Sequence, residues 1–183
     1  MKLDKRSKIF LIIFFSIILI PVIIIGSINY AKEQKLKNRI ENSKATRTLT
    51  LNNISTAITV DELFELELSK EYNTENDISA HNEKMTIITY TNVTFFGADC
   101  KKEYVFYDNK LGICIFDIDT SHWMPKDIHE ELVKLNGEPD ETELKSDKLG
   151  QDYYTWYGEN GTLIMVDDNI LRNIEIRFEI EEQ

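Results

Sequence analysis

The sequence predicts an α+β protein in which an N-terminal transmembrane helix precedes a tandem domain of helices on antiparallel sheets. Three observations predict this fold class. Residues 9–28 are apolar and carry no charged side chain. From Thr48 onward, stretches of β-branched and aromatic residues alternate with turn-forming residues, which is typical of antiparallel strands. The order of one helix followed by strands also occurs twice, over residues 48–120 and over residues 121–183.

Residues 9–28 are long enough to cross a bilayer. A helix of this length extends about 30 Å, which is the thickness of the hydrocarbon core. The basic leader at residues 1–8 also suits a cleaved signal peptide, but the apolar run is longer than a usual signal core and no A-x-A-like cleavage site follows it. We therefore expect an uncleaved anchor that contacts the lipid bilayer through residues 9–28.

The predicted orientation places the N-terminus inside the cell and the C-terminal domain outside. Basic residues flank the apolar run on both sides, in the leader and in the juxtamembrane linker at residues 29–47. Their nearly equal distribution therefore does not determine the orientation of the helix in the membrane. A basic leader before an apolar run resembles an export signal, and a long C-terminal domain can be translocated regardless of its charge. The linker contains no Pro or Gly, so we expect it to continue the helix for a few turns as a short tether.

The charge of the chain is unevenly distributed. The sequence has 21 Lys and Arg against 32 Asp and Glu, and its net charge is −11. Basic residues outnumber acidic ones up to Lys44, so the domain from Ala45 onward carries all of the acidic excess. Nucleic acid and anionic headgroups would repel this domain, and we expect no nucleic-acid partner. A basic protein partner would suit the charge, although an acidic surface equally serves solubility.

The first half is predicted to contain one helix and three strands. Residues 49–55 are either a first strand or an extended lead-in. Thr59 and Glu62 have the spacing of a capping box, which predicts a helix over residues 60–70. The polar, turn-rich residues 71–84 indicate a loop. Strands are then predicted at residues 85–96, 103–107 and 111–118, the last two as a hairpin closed by residues 108–110.

The second half repeats this order. A helix is predicted from Pro125 to about Leu135, with Ile128, Leu132 and Leu135 on one side, and Gly137 ends it. Strands are predicted at residues 151–157, 162–166 and 170–180, with a turn at residues 167–169.

The two halves look like copies of one another. Thr94-Phe-Phe-Gly97 matches Thr155-Trp-Tyr-Gly158, and each is followed by a strand that ends at an aspartate. Chance matches are the alternative, because any two halves with the same element order align in part. Duplication predicts two helix-on-sheet halves side by side in one wide sheet, with the helices on one face.

Residues 131–139, 155–158 and 166–170 resemble a module found in two related groups of proteins. One group is the β-lactamase inhibitor proteins, which contain tandem copies, and the other is the small outer-membrane lipoproteins of the barrel-assembly machinery, which contain one. The resemblance is best over residues 125–180. The tandem arrangement fits the inhibitor type better, and it implies a helix-on-sheet fold that binds proteins through aromatic residues on an exposed sheet face. This chain has an apolar helix where those groups have a plain signal peptide or a lipidated cysteine.

Four aromatic residues are crowded into one predicted strand, and they are the candidates for partner binding. Alternation along a strand places Tyr153 and Tyr157 on one face and Tyr154 and Trp156 on the other. One pair must pack under a helix, and the other pair would stand on the open face, where Tyr and Trp are typical anchors of protein interfaces. Ordinary packing within the sheet is the alternative for each ring.

The two cysteines, Cys100 and Cys114, both lie in the first half. In an exported domain such a pair suits a disulfide, and two buried thiols are the alternative. The predicted hairpin places Cys100 closer to Asp117 than to Cys114, so a bridge would require a bulge or a bend.

The sequence contains no catalytic motif that we recognise, and we expect no catalytic residue, metal or cofactor. Its three histidines are scattered without metal-ligand spacing. The predicted function is a membrane-anchored, extracytoplasmic, non-catalytic module that binds a protein, in an inhibitor, immunity or bacterial envelope-assembly role. The alternatives are a structural or regulatory envelope protein with no ligand face, and a hydrolase of unrecognised type.

Overall fold

A computed structural model describes most of the chain, and the protein is α+β. The described residues are 5–51, 58–66, 71–79, 83–120, 125–144, 150–168 and 170–181; the side chains of residues 5–19 and of Pro125 are not described. The chain divides into two compact units, Met1–Glu41 and Asn42–Gln183.

Helix α1 spans Lys5–Thr46, so it makes up the described part of the first unit, and its last residues belong to the second. The predicted linker is helical up to Thr46, as expected for a segment without Pro or Gly. Lys37 and Glu41 lie one helical turn apart and form an ion pair at 3.9 Å, which stabilises this part of the helix. Within the described residues, no helix is long and apolar enough to span a membrane. Most of the predicted span at residues 9–28 has side chains outside the described part of the chain.

The second unit is built on one antiparallel sheet of eight strands. The elements are α2 Val60–Leu66, β1 Tyr72–Ile78, β2 Lys84–Phe95, β3 Ala98–Tyr107, β4 Lys110–Asp119, α3 Pro125–Asn136, β5 Glu141–Glu143, β6 Gln151–Gly158, β7 Gly161–Asp168 and β8 Asn173–Ile180. Each half of the unit thus consists of a helix followed by four strands in the described part of the chain. The order of the strands in the sheet is β1-β2-β3-β4-β8-β7-β6-β5, so β1 and β5 are the edges and β4 pairs with β8 in the middle.

Three sequence predictions were wrong. Residues 71–84 were expected to form a loop, yet Tyr72–Ile78 is the edge strand β1; all of its side chains are exposed, so it lacks the apolar alternation that marks a strand. The three-residue β5 was missed for the same reason. The turn expected at residues 167–169 lies later, because β7 continues to Asp168 and the chain turns at residues 170–172. The predicted end of α2 at residues 67–70 lies outside the described residues.

The hydrophobic core lies on one face of the sheet. Along β8, Ile174, Ile176 and Phe178 are buried, whereas the alternating Glu175 and Arg177 point to the opposite face and are partly exposed. Both short helices contribute to the same buried cluster, with Leu63 from α2 and Ile128 and Leu132 from α3. Leu135, which was expected on the same side of α3, lies at its end and is 43% exposed. We call the covered side the helix face and the other side the open face.

Local hydrogen bonds explain where the helices start and stop. The backbone N–H of Thr59 donates to Glu62 Oε2 at 2.7 Å, and the N–H of Glu62 donates to Thr59 Oγ1 at 3.3 Å, which confirms the capping box. The bond from Thr59 lowers the pKa of Glu62. At the end of α3, Gly137 adopts a φ of +77° and its N–H donates to the carbonyl of Val133 at 2.8 Å, as expected for a helix-terminating glycine.

Residues 47–51 are an extended lead-in held by two buried asparagines. Asn160 accepts from the N–H of Leu49 and donates to its carbonyl, both at 2.8 Å. Asn136 does the same for Thr50, at 2.9 and 3.1 Å. Each side-chain amide thus replaces the backbone partner that a neighbouring strand would supply. The remainder of the predicted segment, residues 52–55, lies outside the described residues.

The strand register excludes a bridge between the two cysteines. Cys100 pairs with Ile118 and Cys114 pairs with Tyr104, so the two residues are offset by four positions along adjacent strands. At about 3.3 Å per residue this offset is about 13 Å, beyond the reach of a disulfide. Both thiols are buried on the helix face, which is the alternative that the sequence left open.

Candidate functional site

The four aromatic residues of β6 divide between the two faces of the sheet. Trp156 is 0% exposed, and its indole N–H donates to the carbonyl of Gly137 at 2.7 Å. Tyr154 packs against the same core, with its ring centroid 4.4 Å from that of His129 on α3. Both residues therefore contribute to the packing of α3 on the sheet; Trp156 is fully buried there, whereas Tyr154 keeps part of its surface exposed.

Tyr153 and Tyr157 lie on the open face and are each partly exposed. The hydroxyl of Tyr153 donates to Gln151 Oε1 at 2.5 Å, and the hydroxyl of Tyr157 donates to Glu141 Oε2 at 2.9 Å. Burial, together with the bond to Glu141, raises the pKa of Tyr157 to about 12. If the protein had a purely structural role, we would expect all four rings of β6 to be buried. Tyr153 and Tyr157 are not.

Tyr153 lines a groove on the open face of the second half of the sheet. We call it the open-face groove, and its volume is about 570 Å³. The central part of its floor is uncharged and consists of Tyr153 and Thr155 from β6 and Ile164 and Val166 from β7. Gln151 and the carboxylate of Asp168 line the same two strands at one end of the groove. Tyr157 continues the floor beyond Thr155 on the same face of β6. A floor of this kind offers apolar and aromatic contact area to a partner.

Acidic residues flank this floor on both sides. Glu141 and Glu143 on β5 form one rim, since they pair with Thr155 and Tyr153 of the floor. The other rim is β8, where Arg177 lies between two glutamates. The guanidinium contacts Glu175 at 2.8 Å and Glu179 at 3.7 Å. The described side chains of the two rim strands thus place one guanidinium among four carboxylates. A second cation, Lys44, lies beyond them, with its Nζ 5.8 Å from the ring centroid of Tyr157.

A short loop between β7 and β8 closes one end of the groove and exposes two aliphatic side chains. Ile170 is 66% exposed and Leu171 is 73% exposed. The buried carboxylate of Asp168 holds the loop, because its Oδ1 accepts from the N–H groups of both residues at 2.8 Å. Its Oδ2 accepts from Gln151 Nε2 at 2.7 Å. These hydrogen bonds lower the pKa of Asp168, and the bond from the N–H of Leu171 has the largest effect.

The first half of the open face is also acidic. Glu103 accepts from Lys101 Nζ at 2.6 Å, and this bond raises the pKa of Lys101. Asp117 on β4 lies opposite Lys101 and pairs on its other side with Glu175 of β8. Carboxylates therefore predominate across the strand junction as well as around the open-face groove, which would attract cations over the whole face.

The sequence indicates the tyrosines as candidates but gives no sign of the rims or of the loop. The rims are contributed by strands far apart in the chain, so only the register of β5 on β6 and of β8 on β7 reveals them. The exposed Ile170-Leu171 pair was assigned to a strand, where its apolar character would have meant burial. Among the described residues, no group of three or more His, Cys, Asp or Glu side chains is placed to hold a metal ion.

No protein-family model matches the chain, and neither the curated proteins nor the solved structures contain a match.

Proposed function

We propose that this protein is a membrane-anchored, extracytoplasmic and non-catalytic module that binds a basic partner protein on its open face. The observation that carries the proposal is the open-face groove: a floor that contains the partly exposed Tyr153, continued on the same strand face by Tyr157, between two acidic rims. Tyrosine supplies a large contact area with little loss of conformational freedom, which is why it is enriched at the energetic centre of interfaces. The acidic rims would increase the rate of association with a positively charged surface.

The membrane anchor is supported by the surface of α1. From Ile20 to Ile28, the aliphatic side chains of the helix are about half exposed or more; for example, Val22 is 62% and Ile25 is 58% exposed. Exposed aliphatic residues around a helix have a favourable environment in lipid and an unfavourable one in water. We propose that residues 9–28 form the anchor, with the second unit outside the cell.

A tandem origin of the second unit is supported by its element order. Each half is a helix followed by four antiparallel strands, and the two halves meet through their last strands, β4 and β8. This arrangement is consistent with the resemblance to the tandem inhibitor proteins, in which a sheet face binds the target. We propose that the open face here has the same general role.

Photo-crosslinking from the groove tests the binding function. A photoreactive amino acid at Val166, on the floor, should form an adduct with a discrete protein in intact cells. The same residue placed at Leu66, which is 71% exposed on α2, is the matched control and should form none. Tyr153→Ala should abolish the Val166 adduct. The absence of a Val166 adduct, or equal adducts from both positions, would overturn the proposal.

Labelling of intact cells tests the topology. In a Leu171→Cys variant the new thiol is exposed, whereas Cys100 and Cys114 are buried and react slowly. A maleimide reagent that cannot cross membranes should label this variant and not the parent protein. Labelling only after the cells are opened would overturn the extracytoplasmic placement.

A further inference from the structure

We infer that the segment recognised by the open-face groove is an α-helix with an apolar stripe flanked by Lys or Arg. This inference rests on the proposed function and specifies the partner chemistry at the same site. It follows from the width of the groove, from the hydrogen-bonding state of its floor, and from the order of charged and apolar side chains across it.

The width of the groove matches one helix. The floor is formed by β6 and β7, and the rims by their outer neighbours β5 and β8. Strands in a sheet are about 4.8 Å apart, so the two rim strands are about 14 Å apart. An α-helix with its side chains is about 10–12 Å across. A single helix therefore fills the floor and brings the side chains on its two flanks to both rims.

The floor does not offer what an extended segment requires. Extended peptides gain affinity by adding a strand to a free sheet edge, where the backbone groups are unpaired. Here β7 is paired on both sides along its length, and β6 is paired with β7 throughout and with β5 over Tyr153–Thr155. A helix forms its backbone hydrogen bonds internally, so it requires no backbone hydrogen bonds from a floor whose own backbone groups are already paired.

The register aligns charged and apolar residues in one row across the groove. The row contains Glu143 on β5, Tyr153 on β6, Val166 on β7 and Glu175 on β8. Each end of this row is a carboxylate and the middle is apolar or aromatic. The complementary surface on a helix is an apolar stripe with a cation on each side, since Lys and Arg extend their aliphatic stems over the floor and their charges to the rims.

The adjacent row has the same order but includes the one rim cation. It contains Glu141, Thr155, Ile164 and Arg177. Arg177 is engaged by Glu175 and Glu179, so its charge is already matched within the rim. The remaining excess is negative on both sides, which favours a helix carrying Lys or Arg on both flanks of its stripe.

Synthetic helices test the inference with the full-length protein in a nonionic detergent. The probe is a Leu/Lys peptide of about 18 residues, or five turns, with its leucines on one stripe and one photoreactive leucine analogue in that stripe. One control peptide has the same composition in scrambled order, and a second replaces every Lys by Glu. We expect concentration-dependent adducts on β6 and β7 with the Leu/Lys helix only.

Two protein variants locate the contact. Glu143→Gln with Glu175→Gln removes one carboxylate from each rim and should weaken adduct formation by about fivefold or more, because two partly desolvated ion pairs are lost. The matched control, Glu65→Gln with Glu71→Gln, removes two exposed carboxylates outside the groove and should have little effect. Equal adducts with the scrambled peptide, adducts outside β6 and β7, or no response to the rim variant would overturn the inference.

The two proposals can fail separately. If Val166 captures a partner in cells but the Leu/Lys helix does not bind, the groove binds a protein by another kind of segment and the helix inference is wrong. If the helix binds but Val166 captures nothing in cells, the protein-binding function is wrong although the groove has the inferred complementarity.

Discussion

The guanidinium of Arg47 donates a 2.7 Å hydrogen bond to the buried carboxylate of Asp140. The same carboxylate accepts from Ser43 Oγ at 2.7 Å and from the backbone N–H of Tyr157 at 2.9 Å. A carboxylate can accept several hydrogen bonds, and here the donors come from the last turn of α1, from the lead-in and from β6. Asp140 thereby ties α1 residues of the second unit to the strand that carries the tyrosines.

Replacement of Asp140 should be strongly destabilising. The side chain of Asp140 is 2% exposed and that of Arg47 is 26% exposed, so Asp140→Ala leaves a largely buried cation and two donors without their acceptor. We expect a loss of about 3 kcal/mol in the free energy of unfolding, the lower end for a broken buried ion pair because Arg47 is partly solvated. Urea denaturation of the parent and the variant measures the difference.

A nearby exposed ion pair provides the control for this experiment. Lys44 and Glu181 also join the end of α1 to the rest of the second unit, but their side chains are 38% and 49% exposed. Glu181→Gln should cost less than about 1 kcal/mol. If both variants lose the same stability, burial of Asp140 is not what makes its contacts important.

The parts of the fold that were predicted correctly have strong local patterns. The capping box at Thr59 and the apolar side of α3 are set by residues within one or two turns of one another. The hairpin of β3 and β4 turns at Asp108 and Asn109, both with positive φ, a conformation that Asp and Asn tolerate better than most other non-glycine residues. The edge strand β1 lacks a local pattern of apolar residues, because all of its side chains are exposed. Its strand conformation depends instead on backbone pairing with β2.

The candidate site was predictable only in part. Alternation separates Tyr153 and Tyr157 from Tyr154 and Trp156, but it does not say which pair the helices cover. The rims depend on long-range register, since β5 and β8 are brought to either side of β6 and β7 by the fold. Non-local pairing of this kind leaves no periodic signal in the sequence.

Acidification should destabilise the protein through His129. Burial lowers the pKa of His129, and this effect exceeds the opposing influence of Glu138 and Glu130. The unfolded chain then binds the proton more readily than the folded one, so stability is complete above a pH of about 6.5 and is lost as the pH falls through the folded pKa. Within the described part of the chain, buried Nε2 of His129 has no hydrogen-bond partner, which adds to the cost of protonating it.

His129→Phe tests this dependence, because phenylalanine retains a ring against Tyr154 and cannot be protonated. The variant should lose less stability than the parent between pH 7 and the acid limit of folding, as measured by urea denaturation at a series of pH values. His81 and His122 are present in both proteins, so their contributions cancel. Parallel curves for the two proteins would show that His129 does not cause the acid sensitivity.

Asp167→Asn should stabilise the protein at neutral pH. Burial first, and then the neighbouring Asp152 and Asp168, raise the pKa of Asp167. A raised carboxylate pKa means that the folded state binds the proton more tightly than the unfolded state, so ionisation at neutral pH costs stability that protonation restores. The neutral amide removes this cost. The gain should be present at pH 7 and should diminish as the pH falls through the folded pKa of Asp167; a constant gain would indicate a change in packing instead.

The two faces of β6 should separate stability from binding. Trp156→Ala removes a fully buried ring and its bond to Gly137, and we expect a loss of about 3–5 kcal/mol in the free energy of unfolding. Tyr153→Ala removes a partly exposed ring with one side-chain hydrogen bond, and it should cost about 1 kcal/mol. The same Tyr153 variant should abolish the partner adduct formed from Val166, whereas the milder Trp156→Phe should preserve that adduct while lowering the unfolding midpoint. A Tyr153 variant that is as unstable as Trp156→Ala would mean that the open face is part of the structural core, and that its tyrosines are not held ready for a partner.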